Sequence, residues 1–286
     1  MAEIISGKIV SEKLRSELRE EIVEYKNKYG IAPGLAVVMV GDDPASAVYV
    51  RNKHKACLDV GIESYQLEFS EDITEEELLK KIDELNADDK VNGILVQLPL
   101  PSGINEEKVI ERISPDKDVD AFHPSNVGRI MIGNYSFLPC TPAGIISLLD
   151  HYNVEIAGKR CAVVGRSNIV GKPMALLLTE RNGTVTLCHS KTRDLENILR
   201  ESDIIVVAIG KAEFLKADMV KPGAVVIDVG INRTAEGKLV GDVAFGEVSQ
   251  VASMITPVPG GVGPMTITTL LRNTLSAAKL QILKRN

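Results

Sequence analysis

The chain has 286 residues, 44% of them apolar and 25% charged, which allows two ordinary domains with sizeable cores and excludes a disordered chain. A net charge of −6 argues against a general nucleic-acid binder, and no apolar run is long enough to span a membrane. The cysteines, at 57, 140, 161 and 188, lack metal-ligand or redox spacing and read as reduced thiols of a cytoplasmic protein. The four dispersed histidines suggest no metal site, and the N-terminus lacks the pattern of a signal peptide.

In chain order, residues 8–29 read as a charged helix stopped by Gly30, and 34–41 as a short, fully apolar, buried strand. A helix follows with Asp43 as N-cap, Pro44 in its first turn and Gly61 as its stop. Residues 62–69 form a second strand. Residues 74–86 form a helix with Thr74 and Glu77 as a capping box. A third buried strand at 92–101 is cut off by proline. Strand, helix, strand, helix, strand implies a parallel sheet covered on both faces, with ligands gathered at the carboxyl ends of its strands. Gln97 lies at such an end. An Asp- and Pro-rich loop at 114–124 lies between helices at 105–112 and 142–152, and residues 139–142 resemble a domain junction.

A second alternating region begins at Lys159, with strands at 160–164, 184–188, 203–208 and 224–229 and a helix at 173–181. A last short strand at 254–259 and a glycine-rich loop at 260–264 precede a C-terminal helix at 265–283. The whole reads as an α/β protein of two domains, the second of the nucleotide-binding, Rossmann type.

Two features carry chemistry. Tyr49 and Lys53 are i, i+4 and share one helix face, about 100° from the seam of Val50, Cys57 and Val60 that faces the core. A phenol beside an amine at a core edge suits acid/base work, because partial burial lowers a lysine pKa. A tyrosine packed on a lysine stem on a solvated face gives the same spacing.

The second feature is Gly165-x-Ser167-x-x-x-Gly171, which departs from the usual G-x-G-x-x-G spacing. It follows a strand and opens a helix, where backbone N–H groups and the helix dipole favour a pyrophosphate; a plain strand–helix turn is the alternative. An NAD site usually ends its next strand with an acid for the ribose. Here that end has Ser190, Lys191 and Arg193 with no acid before Asp194, and Arg166 stands in the first loop. Hydroxyls and cations at these places suit a 2′-phosphate, so NADP is expected over NAD.

Four stretches, in this order, carry a resemblance across nearly the whole chain: Tyr49-x-x-x-Lys53, the run 96–101 beginning Val96-Gln97, the Gly165 loop through Pro173, and the run 257–266 through Gly261, Pro264 and Thr266. Together they resemble the bifunctional methylenetetrahydrofolate dehydrogenase/cyclohydrolase family. Lys117-Asp118-Val119-Asp120 also matches, although this chain has Ala121 where the family pattern usually has glycine.

The resemblance implies a catalytic, folate-binding domain at 1–141, rejoined by a C-terminal helix at 265–286 that packs back on it, and a Rossmann-type NADP domain at 142–264. It implies Lys53 as general acid/base, Tyr49 stacking on the folate, and Gln97 tuning the lysine. Asp120 would accept hydrogen bonds from the pterin, a match of carboxylate to paired donors. Leu98, Pro99, Gly261, Pro264 and Thr266 would line the substrate. Gly165, Arg166, Ser167, Ser190 and the Ile231 backbone would hold NADP. A homodimer is also implied.

Three other readings compete. Short-chain dehydrogenases share Tyr-x-x-x-Lys but place the nucleotide loop before it. An idle binding protein would not need Tyr49, Lys53, Gln97 and Asp120 together. A dehydrogenase without the hydrolase step would not need the Lys53/Gln97 pair.

Overall fold

The computed structural model describes residues 1–234 and 236–285. A two-residue strand, β1 (Glu3–Ile4), leads into α1 (Gly7–Tyr29). β2 (Gly34–Val40) is buried at every residue. α2 (Pro44–Val60) starts where the Asp43 carboxylate accepts the Ser46 N–H at 2.7 Å. It ends where Gly61, at φ 90°, donates back to the Cys57 and Leu58 carbonyls. β3 (Glu63–Phe69) and α3 (Glu75–Ala87) follow, and the reciprocal Thr74/Glu77 capping box is present.

Then come β4 (Gly93–Val96), α4 (Glu106–Arg112), α5 (Pro124–Met131) and α6 (Cys140–His151). β5 (Arg160–Val164), α7 (Gly171–Glu180), β6 (Thr184–Cys188), α8 (Leu195–Arg200), β7 (Ile204–Val207) and β8 (Val225–Asp228) form the second alternating run. A small antiparallel pair, β9 (Asn232–Arg233) and β10 (Leu239–Val240), precedes α9 (Phe245–Val248), β11 (Met254–Ile255) and α10 (Val262–Arg285).

The chain divides into two compact units, residues 13–140 with 267–286 and residues 1–12 with 141–266. The first holds a parallel sheet in the order β3-β2-β4. Alternation along β2 sends Leu35, Val37 and Met39 into one core and Ala36, Val38 and Val40 into another. The first core is completed by Leu18 and Ile22 of α1, Val50, Cys57 and Val60 of α2, and Leu270, Leu271 and Leu275 of α10. The C-terminal helix therefore packs in the same core as the N-terminal sheet. The second core holds Leu78 and Ile82 of α3 and Val109 of α4.

The other unit holds a six-stranded sheet, β1-β11-β8-β7-β5-β6, parallel throughout. After β5 the chain first adds β6 on one side and then β7 on the other. The carboxyl ends of β5 and β7 thus flank the topological switch point, where such sheets bind ligands.

Several elements differ from the sequence expectation. The strand expected over 92–101 pairs regularly only over Gly93–Val96, and the chain turns away after Gln97 N–H reaches the Val38 carbonyl. The C-terminal helix begins at Val262, so Pro264 sits in its first turn, where a missing N–H costs nothing. α5 falls where the sequence predicts no element, just after the 114–124 loop; His123 Nδ1 caps it at Ser125 N and Pro124 opens it. β1, α8, α9, β9 and β10 have two to six residues, too few to show a period.

Candidate active site

Lys53 lies in the third turn of α2, with exposed Arg51 and Asn52 beside it, yet it is only 9% exposed itself. Its Nζ donates to Gln97 Oε1 at 2.9 Å. Gln97 directly follows β4, at the carboxyl edge of the sheet, and its Nε2 donates to the Leu98 carbonyl at 2.8 Å, so its acceptor oxygen is turned to the lysine. Burial lowers the Lys53 pKa below the ordinary lysine range, while the nearby Asp120 charge opposes that shift. Burial also raises the Asp120 carboxyl, opposed by Lys53 and by a hydrogen bond from the Cys140 thiol. Both shifts favour the neutral forms. Tyr49, one turn before Lys53 on the same face, is 36% exposed, and partial burial raises its phenol pKa. Leu98 is half-buried and Pro99 exposed just after Gln97.

Asp120 ends the Lys117–Asp120 run, which lies in the irregular loop the sequence showed. Ile94 N donates to the Lys117 carbonyl at 2.7 Å, so residues 117–118 run beside β4. Lys117 Nζ donates to the Leu85 and Asp88 carbonyls at 3.0 and 2.8 Å, capping the end of α3. The buried Asp118 carboxylate accepts His123 N and Asn126 Nδ2, both at 2.8 Å. A Cβ on Gly93 would lie 2.7 Å from Val119 Cγ1, so glycine there lets this stretch approach the strand. Asn273 of α10 donates from Nδ2 to the Val119 and Leu138 carbonyls at 2.8 and 2.9 Å and touches Cys140 Sγ at 3.7 Å. Ala121, fully buried, takes φ 58°, in the left-handed region.

Sequence reasoning missed three of these participants. Cys140 was read as part of a junction, Asp118 as a member of the matching Lys117–Asp120 run with no role of its own, and Asn273 only as a residue of the C-terminal helix. The available signal for Asn273 was an amide on the face that also carries Leu270 and Ala277.

In the other unit, Gly165 follows β5 at φ 124°, and a Cβ there would meet the Ala208 carbonyl oxygen at 2.2 Å. A Cβ on Gly171 would lie 2.0 Å from the Gly165 carbonyl oxygen. The loop is thus closed backbone to backbone, which leaves its outer side for a ligand. Ser167 Oγ accepts the Val170 and Gly171 N–H groups at 3.2 and 3.3 Å, leaving its own proton to donate. Arg166 is exposed.

At the end of β6, His189 N donates to Thr192 Oγ1 and Thr192 N to the His189 carbonyl, a tight turn that leaves Ser190, Lys191 and Arg193 exposed. Ile231, exposed, follows β8 at the same sheet edge. Gly261 has no room for a Cβ, which would meet the Pro257 carbonyl oxygen at 2.5 Å. Thr266 Oγ1 lies 2.9 Å from Thr141 Oγ1. The structure therefore brings Tyr49, Lys53, Gln97 and Asp120 together in one unit. Gly165, Arg166, Ser167, Ser190, Ile231, Gly261, Pro264 and Thr266 belong to the other. A cavity of about 310 Å³ lined by Glu155, Lys159, Asp203 and Met254 lies at the opposite, amino-terminal edge of the six-stranded sheet.

Comparison with known proteins agrees with this geometry. Residues 5–120 match the model of the tetrahydrofolate dehydrogenase/cyclohydrolase catalytic domain, and residues 139–282 match that of its NAD(P)-binding domain. The bifunctional protein FolD of Acetivibrio thermocellus is 60% identical over 280 residues, 98% of each chain. The bifunctional FolD methylenetetrahydrofolate dehydrogenase/cyclohydrolase of Campylobacter jejuni superposes with a TM-score of 0.96 at 50% identity, over 98% of this chain and 100% of that one. The Trypanosoma brucei FolD, solved with NADP cofactor and inhibitor, gives 0.95 at 39% identity over 98% of both chains. With both domain models matched and such identity end to end, the chain belongs to the tetrahydrofolate dehydrogenase/cyclohydrolase family.

Proposed function

We propose that this protein oxidises 5,10-methylenetetrahydrofolate to 5,10-methenyltetrahydrofolate with NADP⁺ and hydrolyses the product to 10-formyltetrahydrofolate. The observation that carries the reading is a buried lysine amine, hydrogen-bonded to Gln97 and beside Asp120, in a chain of this family. NADP⁺, when bound, accepts the hydride from the one-carbon bridge. The residues fit it: a glycine-closed loop opens α7 at the switch point, and exposed Arg166, Ser190, Lys191 and Arg193 suit a 2′-phosphate.

Hydrolysis needs proton transfers that Lys53 supplies. Water adds to the methenyl carbon and loses a proton to the neutral amine. The resulting carbinolamine loses its hydroxyl proton as the bond to N5 breaks, and Lys53 returns the first proton to N5. One proton is released overall. Burial lowers the Lys53 pKa and so favours the neutral amine more than an exposed lysine would, the form this sequence uses. Gln97 holds the amine in place. Asp120 accepts from the pterin, and Tyr49 packs on it. Leu98, Pro99, Gly261, Pro264 and Thr266 complete the folate contacts, and Gly165, Arg166, Ser167, Ser190 and the Ile231 backbone those of NADP.

Folate binding is assigned chiefly to residues 1–141 with 265–286 and nucleotide binding chiefly to 142–264, with residues 1–12 packing in the same compact unit as the latter. The family resemblance supports a homodimer, to be checked as twice the 31.0 kDa chain mass by light scattering. Four buried free thiols support a reducing, cytoplasmic setting. The decisive assay follows methenyltetrahydrofolate absorbance, its appearance with NADP⁺ and its decay by hydrolysis. Absence of both sinks the reading, and equal or better use of NAD⁺ refutes NADP.

A further inference from the structure

Asp242 is fully buried, and no cation pairs with it among the bonds of the described residues. An isolated buried carboxylate is costly unless it is amply hydrogen-bonded. Here the bonds are ample and their origin is telling. Three successive backbone N–H groups after β7 converge on it: Ile209 and Gly210 on Oδ2 at 2.7 and 2.9 Å, and Lys211 on Oδ1 at 2.8 Å. Asn232 Nδ2, from β9, adds a fourth bond at 2.9 Å.

A second buried carboxylate backs the first. Asp228, the last residue of β8, accepts Asp242 N at 2.8 Å, Val243 N at 3.0 Å and Gly230 N at 3.0 Å. The space around both is filled. A Cβ on Gly230 would lie 2.2 Å from the Asp242 carboxylate, and one on Gly241 would lie 1.8 Å from that of Asp228.

Residues 209–211 are themselves exposed, and none of them belongs to the buried core of this unit. They occupy one side of the switch point. The other side is the Gly165 loop, whose glycine sits against the Ala208 carbonyl just before them. Fixing 209–211 therefore fixes the bed on which the Gly165 loop rests. We propose that Asp242 is a positioning residue of the nucleotide site: it gathers the backbone after β7 and the β9 strand into the shape that receives the dinucleotide, without touching it. This rests on the NADP reading above.

The test uses the full chain. Asp242→Asn keeps size but puts an amide where four donors converge. Calorimetric titration with NADP⁺ is expected to show Kd raised about tenfold, the scale of a lost charge-assisted hydrogen bond. The dehydrogenase KM for NADP⁺ should rise with it, while methenyltetrahydrofolate hydrolysis, which uses no nucleotide, stays at the wild-type rate. A folded Asp242→Asn protein with unchanged NADP⁺ affinity overturns the proposal, as does one in which hydrolysis and affinity fall together. If Asp242→Asn does not fold, Asn232→Ala decides: it removes one donor and leaves the carboxylate, and Kd should rise about threefold. No rise there also overturns it. A wild-type chain that binds no NADP⁺ would instead sink the functional reading, so the two failures are distinguishable.

Discussion

Lys53 Nζ and Gln97 Oε1 lie 2.9 Å apart across 44 positions of sequence. One side chain comes from the third turn of α2 and the other from the residue just past β4. The amide is fixed by its own bond to Leu98, so the lysine finds an acceptor already oriented. An amine that is buried, aimed and flanked by a carboxyl is suited to moving protons.

Replacing Lys53 tests that suitability directly. Lys53→Met keeps the buried stem and removes the amine. Methenyltetrahydrofolate hydrolysis is expected to fall ~10²–10⁴-fold, the usual worth of a general acid/base. Thermal unfolding should show a loss of no more than about 1–3 kcal/mol, the cost of leaving Gln97 Oε1 without its donor and Asp120 without its neighbouring cation. Undiminished hydrolysis would remove Lys53 from its role.

Gln97→Glu alters the same pair by charge. A carboxylate beside Nζ favours the ammonium and so raises the Lys53 pKa, against the lowering that burial imposes. Hydrolysis by a neutral amine then requires higher pH. The limb of the pH–rate profile that reports Lys53 deprotonation should move up, and a downward move or none would show that Gln97 does not tune the lysine.

Ala121 offers a backbone test. At φ 58° an alanine costs about 1–2 kcal/mol. Ala121→Gly releases that strain, but gives up a buried methyl worth about 0.8 kcal/mol and adds about 0.4–1 kcal/mol of unfolded-chain entropy. The terms nearly cancel, so the melting midpoint should barely move. Ala121→Val, β-branched in the left-handed region and without space, should cost about 3 kcal/mol or more. Equal tolerance of both would show that this backbone is not held as described.

Asp228 carries a pH signature. Burial pushes its carboxyl from 3.8 up to about 6, against the lowering effect of three N–H donors. A carboxyl whose folded pKa exceeds its unfolded value binds its proton more tightly when folded. Its contribution is therefore complete below pH ~3.8 and lost as pH rises through about 6, some 3 kcal/mol in all. Stability relative to Asp228→Asn should fall across that window in paired denaturant titrations. A rise instead would mean that the N–H donors outweigh burial.

Local signals were enough for much of this. Asp43, Pro44 and Gly61 bound α2 because caps act within a turn, and the apolar run 34–40 declares a strand covered on both faces. The Gly165 loop is likewise legible as a tight turn from β5 into α7, where a Cβ at Gly165 or Gly171 would strike backbone. What stayed hidden depends on contacts far apart in the chain. That Lys53 is buried and not solvated follows from its surroundings, including Gln97 and Asp120, and no helix period reports it. Asn273 reaches Val119 across 154 positions, and Asp242 collects N–H groups from the loop after β7 and from Asn232 of β9. Such side chains look like ordinary loop or helix residues in one dimension. Only the packed fold, which decides which polar groups lose water and must find one another, reveals them as the scaffold of the site.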